Sequence, residues 1–96
     1  MKIVVSDRAR RDLLDIFSYL AERNPTAAES ALHAIQDKFE HLSRFPFIGR
    51  ERESLASGLR SLLAGTHLIF YVVESDRVVV IRVIDGRMDV EEQFRR

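Results

Sequence analysis

Two arginines, Arg60 and Arg82, stand inside apolar runs where a cation is unusual, and a third, Arg87, follows in Asp85-Gly86-Arg87-Met88-Asp89. The guanidinium is a planar fork of donors that matches carboxylate or phosphate oxygens in pairs. In strands, such residues have two possible employments. One is an internal ion pair, for which Glu74, Asp85 and Asp89 are the nearest carboxylates. The other is a paired anion or partner site on a sheet face, with Arg87 at its rim. His67 opens the apolar run that follows Arg60, where it is either a structural histidine or a general acid or base. His33 and His41 lie more than two turns apart on one predicted helix, off its apolar stripe and too far apart to chelate a metal together. No metal-ligand spacing, phosphate-binding glycine loop or nucleophile elbow occurs. The residue types therefore favour binding through cations over chemistry. No catalytic residue, metal or cofactor is expected.

These side chains need a sheet to hold them. Leu68 to Val73 and Val78 to Ile84 are rich in Val, Ile, Phe and Tyr and are separated by Glu74-Ser75-Asp76-Arg77, which predicts an antiparallel hairpin. A third strand, Leu59 to Leu63, joins through Ala64-Gly65-Thr66. Strict alternation puts Val79, Ile81 and Val83 on one face and Val78, Val80, Arg82 and Ile84 on the other. Both faces are apolar, so both must be covered, and one cover must accept Arg82. Gly86 is expected to hold a backbone angle that other residues avoid.

Upstream, Lys2 to Val5 is a short strand and Ser6 a helix N-cap. Ala9, Leu13, Ile16, Phe17 and Leu20 form one stripe of a helix from about Asp7 to about Glu22. Asn24 caps a second helix that begins at Pro25 and runs to about Ser43, with Ala28, Ala31, Leu32, Ile35, Phe39 and Leu42 as its stripe. Phe45-Pro46-Phe47-Ile48-Gly49 is an aromatic elbow, which either closes the core or offers a docking groove for an amphipathic segment. Arg50-Glu51-Arg52-Glu53 reads as a charged loop, and Val90 to Arg96 as a last helical turn. The expected fold is a single two-layer α+β domain over residues 1–96. It comprises a strand, a helix hairpin and a three-stranded antiparallel meander (β-α-α-β-β-β), with the hairpin on one sheet face.

Composition narrows the function classes. The 96 residues carry 15 basic and 15 acidic side chains, a net charge of +0, so no whole-protein field draws in nucleic acid. Sequence-specific nucleic-acid binding by the chain alone is not expected. The absence of cysteine suits a reducing compartment. No apolar run approaches the ~20 residues of a membrane span. Met1 to Val5 leads straight into charged Asp7-Arg8, so no secretory leader is expected.

The stretches A-R-R-D-L-L-D-I-F-S-Y-L, N-P-T-A-A and F-P-F-I-G-R-E-R, and above all the ordered series G-L-R-S, H-x-I-F-Y-x-V and R-V-x-x-G-R-x-D, resemble the ParE branch of the ParE/RelE toxin superfamily over nearly the whole chain. The resemblance implies a RelE/ParE-like fold and a cytoplasmic toxin of a type II toxin–antitoxin module. It also implies a cognate, ParD-like antitoxin whose C-terminal segment wraps the toxin, covers the second sheet face and settles on the elbow. Phe17, Leu20, Phe45, Phe47, Ile48 and Arg82 would form the antitoxin surface. RelE-like members cleave ribosome-bound mRNA with a basic cluster and a C-terminal tyrosine. Here the tyrosine position holds Phe94 and a neighbouring arginine position holds Met88, while Arg50 and Arg52 only loosely replace that branch's lysines. The inventory resembles the ParE branch, whose members poison DNA gyrase and trap it on cleaved DNA. The gyrase or anion contacts would be Arg60, Arg82, Arg87 and Phe94. The alternative is a ribosome-dependent mRNA endonuclease using Arg60, His67, Arg82 and Arg87.

Overall fold

Local chemistry sets the helix ends. A computed structural model describes residues 1–95, so the Arg96 end of the expected last turn lies outside the described residues. After strand β1 (Lys2–Val5), the Ser6 hydroxyl accepts from the Ala9 amide at 3.1 Å and starts helix α1 (Asp7–Arg23). Asn24 serves two helices. Its own amide donates to the Leu20 carbonyl and closes α1, while its side chain accepts from the Ala27 amide at 3.1 Å and opens α2 (Pro25–Arg44). Proline at the first helical position has no amide to leave unsatisfied. The tight joint makes α1 and α2 an antiparallel hairpin, as expected. Leu32 departs from its assigned stripe and is exposed.

The sheet has five strands, one more than periodicity predicted. They are β1, β2 (Arg50–Glu51), β3 (Arg60–Ala64), β4 (His67–Glu74) and β5 (Arg77–Asp85), in the spatial order β1-β5-β4-β3-β2. Only β1 and β5 run parallel. The extra strand comes from the stretch expected to be a charged loop: Arg50 pairs with Ser61 and Glu51 with Arg60. Two residues are too short to show a period, and only the neighbouring strand makes them a strand.

A bulge changes which residues share a face. Phe70 lies opposite Arg82 but Tyr71 lies opposite Val80, which leaves Ile81 as the extra residue. Beyond it the alternation is shifted by one. Val78, Val80 and Val83 bury together with Ala9, Ile35, Leu42, Ile69 and Tyr71 beneath the helices. Ile84 buries on the opposite side with Leu59 and Phe70. The strict grouping of Val79, Ile81 and Val83 therefore fails at the bulge.

The chain supplies much of its own second cover. Leu55, from the loop before β3, and Val90 and Phe94 of helix α3 (Val90–Phe94) pack on the Leu59–Phe70–Ile84 cluster. Phe94 meets Phe70 edge-on, with ring centroids 4.8 Å apart and planes at 62°. Part of the cover that the resemblance assigned to an antitoxin is thus supplied by the chain itself. Gly86 needs its lack of a side chain for space and not for a left-handed backbone. Its amide donates to the Thr66 carbonyl at 2.8 Å, and an added Cβ would stand 3.1 Å from that same oxygen. The positive backbone angle of the region belongs to Gly65 in the β3–β4 turn.

Candidate interaction site

Arg82 is held from inside. Its Nε and Nη2 donate to the two carboxylate oxygens of Asp12 at 2.8 and 3.1 Å, and the two side chains are 13% and 8% exposed. Asp12 also accepts the Val83 amide at 3.0 Å. β1 pairs only with residues 77–80 of β5. Past that point β5 still pairs with β4 but has no strand on its other side, and the start of α1 satisfies that edge instead: the Ser6 amide donates to the Val80 carbonyl, the Ser6 hydroxyl to the Ile81 carbonyl, and Asp12 accepts from Val83. The expected carboxylates, Glu74, Asp85 and Asp89, take no part in this pair. Arg82 thus offers its guanidinium to the fold.

Arg60 is a strut of the aromatic elbow. Its Nη1 donates to the Phe47 and Gly49 carbonyls at 3.1 and 2.9 Å, its Nη2 reaches Glu51 at 3.4 Å, and the guanidinium carbon lies 5.2 Å from the centre of the Phe47 ring. Below it the buried Tyr71 hydroxyl accepts the Gly49 amide at 2.8 Å. Burial pushes the Tyr71 hydroxyl's pKa up, with the Gly49 bond and the nearby Arg60 charge opposing. Phe45, Phe47 and Ile48 do not close the core; they stand exposed on the surface, Phe47 at 61%.

At the far end of the same strands lies a cleft of about 700 Å³ between the helix hairpin and the β3–β4 turn. Ile16 and Leu20 of α1 and Ala27, Ala31 and Ala34 of α2 give it apolar walls, and Asp15, Tyr19, His67, Asp85 and Arg87 add polar groups. His67 faces Asp85 across the strands and is only 8% exposed. Burial lowers its pKa; Asp85 opposes that shift and Arg87 adds to it. Arg87, 85% exposed, binds Asp85 through Nε at 3.1 Å and Nη2 at 2.8 Å, with its amide adding a third bond at 2.9 Å. The Arg87 side-chain bonds, followed by its amide bond, hold the Asp85 carboxyl at a pKa of about 2.

The basic residues therefore do not converge. Arg60 pairs with Tyr71 and His67 with Ala64, at opposite ends of β3, and Arg82 turns to α1. The second sheet face carries a different group. Arg52 donates to the Ser61 hydroxyl at 2.8 Å and lies over the Phe70 ring at 5.8 Å, where Phe94 also packs. Phe17 packs against the core, whereas Leu20 lines the cleft.

A profile described as the ParE toxin of the type II toxin–antitoxin system parDE matches residues 3–90. The chain belongs to the ParE toxin family. A similar curated relative, Toxin ParE3 of Caulobacter vibrioides, is 36% identical over 84 residues, 86% of this chain and 84% of its own. Toxin RelE3 of the same organism is 30% identical over 82 residues, 84% of this chain and 89% of its own. The solved structure titled "Chromosomal ParDE TA system from P. aeruginosa" superposes with a TM-score of 0.74 at 20% identity, covering 88% of this chain and 95% of that one. At that identity the likeness is one of fold. Within this ParE-family chain, sequence reasoning missed Asp12 and the cleft. An acidic residue between Ala9, Leu13 and Ile16 was the available signal for the first, since a charge at the edge of an apolar stripe needs a partner. The alanine spacing on α2 was the signal for the second.

Proposed function

We propose that this ParE-family toxin acts by binding DNA gyrase and trapping it on cleaved DNA, without catalysis of its own, and is neutralised by a cognate antitoxin. The observation that carries the reading is the contact between Phe94 and Phe70 beside Arg52. Cutting RNA by general acid–base chemistry needs a titratable group within hydrogen-bond reach of the reacting oxygen. Phe94, packed on the second face next to a cation, has no proton to transfer. His67, the half of an acid–base pair that the sequence offers, lies on the other side of the sheet under the helices. Of the four residues of the endonuclease alternative only His67 and Arg87 share the cleft; Arg60 and Arg82 lie elsewhere and are engaged internally.

Of the proposed target contacts, Arg87 presents its charge most openly, Arg60 shapes the elbow from behind, and Arg82 serves through the fold. For the antitoxin, the exposed Phe45, Phe47 and Ile48 and the cleft edge at Leu20 are the surfaces an amphipathic, C-terminal segment would bury. The relative named RelE3 keeps mRNA cleavage as a second reading. Purified protein added to gyrase and supercoiled DNA is expected to block supercoiling or accumulate linear, cleaved product. Silence in that assay together with cleavage of mRNA on translating ribosomes would reverse the assignment.

A further inference from the structure

The cleft between the helix hairpin and the β3–β4 turn contains one side chain, His67, whose charge changes near neutral pH. The groups around it are set by three elements. Helix α1 brings Asp15 and Tyr19, helix α2 brings alanines and Ser30 but nothing that titrates, and β5 with its exit brings Asp85 and Arg87. Asp85 is the natural counter-ion for an imidazolium, yet its two oxygens already accept three bonds from Arg87. A protonated His67 under a closed cleft would lose its water, while the carboxylate facing it, Asp85, is already engaged.

We propose that His67 makes docking in this cleft proton-linked: an apolar helical segment of the cognate antitoxin is held while the imidazole is neutral and is released when it is protonated. The inference rests on the reading that an antitoxin covers this surface. Two features select a helix with a basic residue at its edge. Ala27, Ala31 and Ala34 recur at helical spacing and leave room for a close approach along α2. Asp15, exposed at the rim, has no ion pair among the described residues, so an incoming Lys or Arg would find a charge to meet. Covering the cleft removes the remaining water from His67 and so penalises its charged form.

The test is calorimetric titration of the full toxin with its antitoxin between pH 7.5 and 5.5, alongside His67→Gln and Ala31→Glu. Wild-type affinity should fall with pH by up to about tenfold per unit, the limit for one linked proton. The His67→Gln profile should be flatter, since the exposed His33 and His41 remain as internal controls. Independently of any variant's folding, the His67 imidazole resonance of the wild-type protein should titrate at lower pH in the complex than alone. Coincident profiles for wild type and His67→Gln, or an unmoved His67 titration, would overturn the proton linkage even if Ala31→Glu weakens binding more than tenfold. Unchanged binding by Ala31→Glu would instead remove the docking site, and the linkage with it.

Discussion

Asp12 and Arg82, 70 residues apart, are joined by two hydrogen bonds, and the same carboxylate also closes the edge of β5 at Val83. Removing one member of a buried pair leaves the other charge uncompensated. Arg82→Ala should therefore cost about 3 kcal/mol of stability, since Arg8, half exposed and 3.8 Å from the Asp12 carboxylate, compensates it only weakly. Asp12→Ala should cost more, because the Val83 amide also loses its acceptor. Urea unfolding of both single variants and the double should show strong non-additivity. A stable, fully folded Arg82→Ala protein without toxicity would return Arg82 to the target surface.

The Gly49–Tyr71 contact predicts a steric limit under the elbow. A Cβ at position 49 would lie 2.8 Å from Tyr71 Cε1 and 2.9 Å from the Ser61 carbonyl. Gly49→Ala should destabilise by roughly 2 kcal/mol, within the range for overpacking. Tyr71→Phe should cost about 1–2 kcal/mol by leaving the Gly49 amide without its acceptor. Thermal unfolding of each checks both.

Phe94 serves as a lid on Phe70. Phe94→Ala should expose the second sheet face, lower stability by about 2 kcal/mol for a half-buried aromatic, and raise the binding of a hydrophobic dye. Phe94→Tyr should fold normally and cut no mRNA on translating ribosomes. New cleavage by that variant would show that the rest of a nuclease site is already assembled.

His67 also predicts how the free toxin responds to acid. Its folded-state pKa is lowered by burial, so below the unfolded value of 6.5 the unfolded chain binds more protons than the native one. Stability is then highest above that value and declines as pH falls from 6.5 through the folded pKa. Melting temperature should drop between pH 7.5 and 5.5, and His67→Gln should reduce the drop. Asp85 acts in a lower window: its pKa of about 2 lies beneath the ordinary value of 3.8, so its small contribution is present above 3.8 and is lost as pH falls through about 2. Its partner Arg87 is largely exposed, which screens the pair.

Helix ends, strand runs and the helix hairpin were legible in the sequence because each depends on residues within a few positions of one another. Ser6 and Asn24 cap as their side chains dictate, and Pro25 starts a helix where it has no amide to lose. The target and antitoxin surfaces were less legible. Exposed Phe45, Phe47 and Ile48 read equally as core closure or docking groove until the packing of the core was known.

By itself, then, the sequence determined the element types, their order and the family series of motifs, since period and capping are local properties. Tertiary structure decided the rest. The bulge at Ile81 switched the faces of β5, because register is a property of two strands together. Arg50–Glu51 became a strand only beside β3, and Arg82 found its partner across 70 residues on a helix that no local rule could nominate. Leu55, Val90 and Phe94, from separate ends of the meander, came together over Phe70 because burying apolar surface is non-directional and takes whichever side chains the chain path brings near.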